Sequence, residues 1–125
     1  MIETKIDPAK AQEFFANKVA FTTGPVDVNQ MISRGEDIVI VDVREKDDYE
    51  ESHIPGAINL PKNQWNNPEG LREDTVNILY CYSQTCHLAA KAAQEFASRG
   101  FPVMEMEGGF QAWEDDDLET EQSDE

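Results

Sequence analysis

A chain of 125 residues is long enough for one domain around one hydrophobic core. No run approaches the roughly 20 consecutive apolar residues of a membrane span, and the first residues, Met-Ile-Glu-Thr-Lys-Ile-Asp-Pro, lack the basic and apolar regions of a secretory signal. The net charge of −16 leaves no basic stripe to meet phosphates, which excludes nucleic acid and anionic membrane surfaces as expected partners.

In chain order, Asp7-Pro8 reads as a helix start, a capping residue followed by proline at the first helical position. Ala11, Phe14, Phe15 and Val19 then recur at helical spacing, which predicts an N-terminal helical extension over residues 1–19 packed along the domain edge. A short strand is expected around 20–22. A second helix from Val26 to Arg34 buries Val28, Met31 and Ile32 and ends at Arg34-Gly35, a cation followed by glycine. Ile38-Val39-Ile40-Val41 is unalternating and β-branched, the pattern of a strand covered on both faces. It runs into Asp42-Val43-Arg44, a charged helical turn over 45–51, a brief strand over 57–60 and a short helix near Lys62–Trp65.

A further central strand over 75–80 ends in Ile78-Leu79-Tyr80 and feeds Cys81. Tyr82, Ser83, Gln84, Thr85 and Cys86 form a loop, and a helix over 86–99 turns Leu88, Ala89, Ala92, Ala93 and Phe96 inward. Another strand begins at Val103-Met104, and Gly108-Gly109-Phe110 leads into a short helix holding Trp113. Residues 114–125 carry eight acidic and no basic side chains; they read as a disordered, solubilising tail, or alternatively as a docking tail for a basic partner. Strands alternating with helices imply an α/β fold, a parallel sheet with helices on both faces. Ligand sites in such sheets lie off the carboxyl ends of the strands, where Cys81 is placed.

A loop of this length can curl around the Cys81 sulfur and aim its amides and the positive helix end inward, an arrangement that favours a thiolate. Cys86 is either a small residue at the helix start or a resolving thiol able to attack a persulfide or sulfenic acid on Cys81. Two cysteines in total provide no disulfide framework, and the expected address is cytoplasmic. His53 reads as a hydrogen-bonded element of the fold, and His87 as a group that tunes the helix end. Two Cys and two His at these separations do not make a zinc site. Asp42 and Arg44 are expected to form a supporting ion pair around the loop. Trp65, Tyr82 and Phe110 either line the pocket mouth or belong to core and rim, while Ser83 and Thr85 shape the loop.

Three blocks in order carry a resemblance to single-domain rhodaneses, sulfurtransferase-type α/β proteins, over 20–113. The first is Asp42-Val43-Arg44, then Tyr49 and Ser52-His53-Ile54-Pro55-Gly56-Ala57-Ile58-Asn59-Leu60-Pro61, where the family usually has glycine in place of Ser52. The second is Tyr80-Cys81 with its loop, and the third is Glu107-Gly108-Gly109-Phe110-Gln111-Ala112-Trp113, similar to the family's Gly-Gly-x-x-x-Trp. The resemblance implies a five-stranded, mostly parallel sheet and a ping-pong reaction through a Cys81 persulfide. The sulfur would come from a small sulfur-containing anion such as thiosulfate, from a polysulfide or from a protein persulfide, and would pass to cyanide or a thiol. No metal or organic cofactor is implied, and a monomer is expected. The loop lacks the arginine or lysine that many rhodaneses carry there. Cysteine-dependent phosphatases need arginine six residues after the cysteine, where this chain has His87. Two other functions use the same residues: a thiol switch built on Cys81 and Cys86, and a non-catalytic binding module.

Overall fold

The computed structural model describes residues 5–123. Five helices and five strands alternate. They are α1 (Pro8–Phe21), β1 (Thr22–Thr23), α2 (Pro25–Ser33), β2 (Val39–Asp42), α3 (Lys46–Glu51), β3 (Ile58–Asn59), β4 (Asn77–Tyr80), α4 (Leu88–Ser98), β5 (Val103–Met106) and α5 (Gly109–Asp115). A 3₁₀ turn at Lys62–Gln64 follows β3. The sheet has the order β1-β5-β4-β2-β3, and every pair is parallel. The five-stranded α/β fold expected from the sequence is therefore present. No helix among the described residues is long and apolar enough to cross a membrane.

The alternation of side chains along the central strands divides the core in two. Ile40, Ile78 and Tyr80 point to the face covered by α2 and α5, where they pack with Val28, Phe110 and Trp113. Val41, Leu79 and Cys81 point to the opposite face, covered by Ala89, Ala92 and Phe96 of α4. Cys81 thus belongs to the α4 face, one residue beyond β4. The upstream end of β4 is fixed by buried Asn77, whose amide donates to the carbonyls of Arg72 at 2.8 Å and Pro102 at 2.9 Å and accepts the Arg72 N–H at 3.0 Å.

Two terminal regions depart from the sequence reading. The start of α1 is as expected, with the Asp7 carboxylate accepting the Ala9 amide at 2.9 Å. Its apolar residues, however, are not packed on the domain edge: Phe14, Phe15 and Val19 are 61, 58 and 78% exposed. The neighbouring edge strand β1 has only two residues, both threonine, and offers no apolar surface wide enough to cover such a stripe. Lys18, paired with Glu107 at 2.5 Å, ties the helix to the loop after β5. The helix runs on through Phe21, so the strand begins at Thr22 rather than residue 20.

The acidic tail, expected to be disordered, is docked as far as it is described. Asp117 adopts a left-handed conformation (φ 56°) that reverses the chain after α5, and Leu118 packs on the core. The Trp113 indole N–H donates to the Glu119 carbonyl at 2.9 Å, and Glu121 exchanges two main-chain hydrogen bonds of 2.8 Å with His53. The reason is local demand: a buried indole and the His53 segment both need partners, and the tail backbone supplies them whatever charge its side chains carry. Residues 124 and 125 of the expected tail, and residues 1–4 of the expected extension, lie outside the described residues.

Candidate active site

The carboxyl ends of β2 and β4 lie side by side, with Asp42 in register with Tyr80. Asp42 is fully buried and its carboxylate accepts from Arg44 Nε at 3.0 Å, Arg44 Nη2 at 2.7 Å, the Arg44 amide at 2.9 Å and the Tyr80 hydroxyl at 2.7 Å. Arg44 Nη2 also donates to the Ser52 carbonyl at 2.6 Å, and the guanidinium lies 4.2 Å from the centre of the Phe110 ring. Burial, and then the charge of Asp42, push the Tyr80 hydroxyl far above the usual tyrosine range. Tyr80 therefore stays protonated as a donor to Asp42, and its oxygen accepts the Ile54 amide at 3.1 Å. Arg44 commits Nε and Nη2 to this network, while Nη1 makes no hydrogen bond among the described residues and the side chain lines a cleft beside the loop.

The loop beginning at Cys81 is held by main chain. The Phe110 and Gln111 amides, in the first turn of α5, donate to the carbonyls of Cys81 at 2.8 Å and Tyr82 at 2.9 Å. This contact requires glycine at 109, which has φ +63°. A Cβ there would lie 2.5 Å from the Ser83 nitrogen and 2.8 Å from the Cys81 oxygen. With the carbonyls drawn toward α5, amides are left to face the thiols. The Tyr82 and Ala89 amides favour negative charge on the Cys81 sulfur, and the Leu88 and Tyr82 amides on that of Cys86. The Cys86 amide is spent inside the loop, closing a turn onto the Ser83 carbonyl at 3.1 Å. The amides that support charge on the sulfurs thus come from residue 82 and the first turn of α4, a part of the loop and helix start expected to supply them.

Electrostatics at the two thiols also differ from the expectation of an acidified Cys81. Cys81 is only 2% exposed, and this burial, reinforced by a hydrogen bond with Cys86, pushes its thiol up to about 11 against the pull of the Ala89 and Tyr82 amides. Cys86 is half-buried. Its own desolvation acts upward, but hydrogen bonds from Cys81 and from the Leu88 and Tyr82 amides outweigh it and lower the thiol below its ordinary value. In the resting loop the more favourable seat for negative charge is therefore Cys86.

The remaining candidates fall into place around this pair. The Tyr82 hydroxyl donates to Asp48 Oδ2 at 2.5 Å and accepts the Glu45 amide at 3.2 Å, tying the loop to the start of α3. Beside it opens a cleft of about 260 Å³, lined by Arg44, Tyr82, Phe110 and three carboxylates, Asp48, Glu51 and Glu114. Ser83 and Thr85 sit 3.3 Å apart through their hydroxyls, Gln84 is exposed, and His87 is the exposed N-cap residue of α4 with no capping side-chain bond. His53 takes part in none of these contacts. It stacks on Tyr49 at 3.9 Å, places Nδ1 2.7 Å from the Tyr49 carbonyl, and lies under Glu121. Trp65 is core: its indole donates to the Leu60 carbonyl at 2.9 Å and its ring meets Phe96 edge-on. Two contributors escaped the sequence reading, Gly109 under the loop and the Tyr80 hydroxyl on Asp42. The Gly108-Gly109 pair was the available signal for the first; nothing local announces the second.

Known proteins share this arrangement. The rhodanese-like domain family matches residues 25–116. The thiosulfate sulfurtransferase GlpE of Coxiella burnetii is 39% identical over 80 residues, covering 62% of this chain and 72% of that protein. The BH2092 protein of Bacillus halodurans superposes with a TM-score of 0.84 at 35% identity, over 93% of this chain and 87% of the other. A full-length protein of Lactobacillus plantarum shares the fold, with a TM-score of 0.82 at 21% identity over 93% and 99% of the two chains. With the fold, the cysteine at the end of β4 and the family match over most of its length in agreement, this chain belongs to the rhodanese-like domain family.

Proposed function

We propose that the protein is a sulfurtransferase working through a persulfide on Cys81. The observation that carries this reading is the seat of the Cys81 sulfur: beyond β4, under the Tyr82 and Ala89 amides, with the neighbouring carbonyls drawn off by α5. The thiolate attacks the outer sulfane sulfur of a donor, the donor's S–S bond breaks, and the leaving group departs with the electron pair. An acceptor thiolate then attacks the terminal sulfur of Cys81–S–S⁻, and Cys81 leaves as thiolate. Amide donors stabilise charge at each stage without a cofactor. A persulfide is more acidic than its parent thiol, so the buried site holds the anion more readily once loaded than when empty.

The donor is the finer question. The likeness to a thiosulfate sulfurtransferase favours thiosulfate, whereas the net charge of −16 and a loop with no arginine or lysine oppose a dianion. A protein persulfide, which need not carry that charge, suits this surface better, with a thiol as acceptor. Intact-protein mass spectrometry after exposure to thiosulfate or inorganic polysulfide tests the reading. The expected result is a gain of about 32 Da, reversed by cyanide and absent from Cys81→Ser, with sulfur transfer abolished in that variant. Transfer retained by Cys81→Ser would overturn it.

One observation favours a second reading. The closeness of Cys86 to the Cys81 sulfur, which lies 3.5 Å from the Cys86 carbonyl oxygen, suits a thiol switch, whose mark would be a loss of about 2 Da on mild oxidation.

A further inference from the structure

We infer that Cys86 is a second sulfur-carrying residue, a role that rests on the sulfurtransferase reading of Cys81. It takes the sulfane sulfur from Cys81 and presents it to the acceptor thiol at the loop surface.

Three observations converge on this. The thiols are neighbours: the Cys81 sulfur lies 3.5 Å from the Cys86 carbonyl oxygen, and each thiol shifts the titration of the other. Both pack in the same apolar cluster under α4, yet unequally, Cys81 sealed within it and Cys86 half-buried at its margin. The turn closed by the Cys86 amide on the Ser83 carbonyl is what brings residue 86 back over residue 81. A bulky thiol, on a peptide or a small molecule, meets a sealed sulfur if it approaches Cys81 directly. Cys86 offers it the same sulfur nearer the solvent.

The step balances without an oxidant or reductant. The Cys81 persulfide anion first takes the proton of the Cys86 thiol, and the Cys86 thiolate so formed attacks the outer sulfur of Cys81–S–S–H. The S–S bond breaks, its electron pair returns to the Cys81 sulfur, and Cys81 takes up a proton as a thiol while Cys86–S–S⁻ forms. Negative charge passes from the Cys81 persulfide to position 86, where the Leu88 and Tyr82 amides support it, and Cys81 ends in the protonated form that its burial favours.

The full chain, exposed briefly to limiting inorganic polysulfide, alkylated at intervals and read by fragment mass spectrometry, tests the relay. The added sulfur is expected on Cys81 first and on Cys86 afterwards. In Cys86→Ser and Cys86→Ala it stays on Cys81, which also shows that the folded site survives, and delivery to glutathione slows at least about tenfold. Sulfur confined to Cys81 in the unsubstituted protein, with both variants delivering at its rate, would overturn the relay and leave the sulfurtransferase reading standing. Equally rapid loading of Cys86 in Cys81→Ser would overturn it as well. So would hydrogen sulfide release with a loss of about 2 Da, because Cys86 would then attack the inner sulfur and close a disulfide. Absence of added sulfur from every residue of the unsubstituted protein would overturn the sulfurtransferase reading and the relay together.

Discussion

The ends of β2 and β4 are adjacent strands of one sheet, yet they are finished in opposite ways. Beyond β2 the chain closes on buried, charge-assisted hydrogen bonds that join Asp42, Arg44, Tyr80 and Ser52. Beyond β4 it opens into a loop whose side chains form few bonds, held by main chain to α5 and by one tyrosine to α3. The difference separates two tasks. The first end ties the frame together through a buried ion pair; the second keeps its amides available to a sulfur that changes its charge during reaction. Substitutions at the first should affect stability foremost, and those at the second chemistry.

The largest expected effect is at the frame. Asp42→Ala leaves the Arg44 charge and the Tyr80 hydroxyl buried without their partner, and should lower unfolding stability by about 3–5 kcal/mol in urea titration. A loss below about 1 kcal/mol would mean that the network does not carry the frame. Gly109→Ala tests the junction between the two regions. The forced movement of the loop, together with a left-handed alanine, should cost about 1–3 kcal/mol. It should also slow sulfur transfer by roughly 10–100-fold, since small misplacements of reacting groups are amplified in rate.

Within the loop, the two thiols should be distinguishable by alkylation. Iodoacetamide reacts with thiolates, so Cys86, lowered below its ordinary range, should be modified first near pH 7. Cys81, raised to about 11 by burial, should gain reactivity only as pH climbs toward that value. Peptide mapping across a pH series reads the order, and Cys81 reacting first at neutral pH would reverse the assignment of charge. The carboxylate of Glu105 opposes the thiolate at Cys86, so Glu105→Gln should move its alkylation profile further toward low pH. Smallest is Tyr82→Phe, which removes the half-exposed bonds to Asp48 and Glu45. It should cost about 0.5–1.5 kcal/mol and speed amide exchange in the loop while leaving the frame unchanged.

The sequence by itself determined the α/β frame and the position of the cysteine. Apolar runs such as Ile38 to Val41, the Asp7-Pro8 cap and the order of strands and helices are local patterns, and local backbone preference together with burial on both faces is enough to realise them. Tertiary structure alone decided which groups face the sulfurs. Gly109 lies under Ser83, and the Tyr80 hydroxyl reaches Asp42, because strands distant in sequence end beside one another. Composition was equally silent about the termini. The aromatic stripe of α1 stays exposed because the edge beside it is two threonines wide, while the acidic tail docks because its backbone answers Trp113 and His53. The preference for charge at Cys86 over Cys81 belongs to the same class. It depends on depth of burial and on amides from the loop and from the first turn of α4, and neither is written in the spacing of the two cysteines.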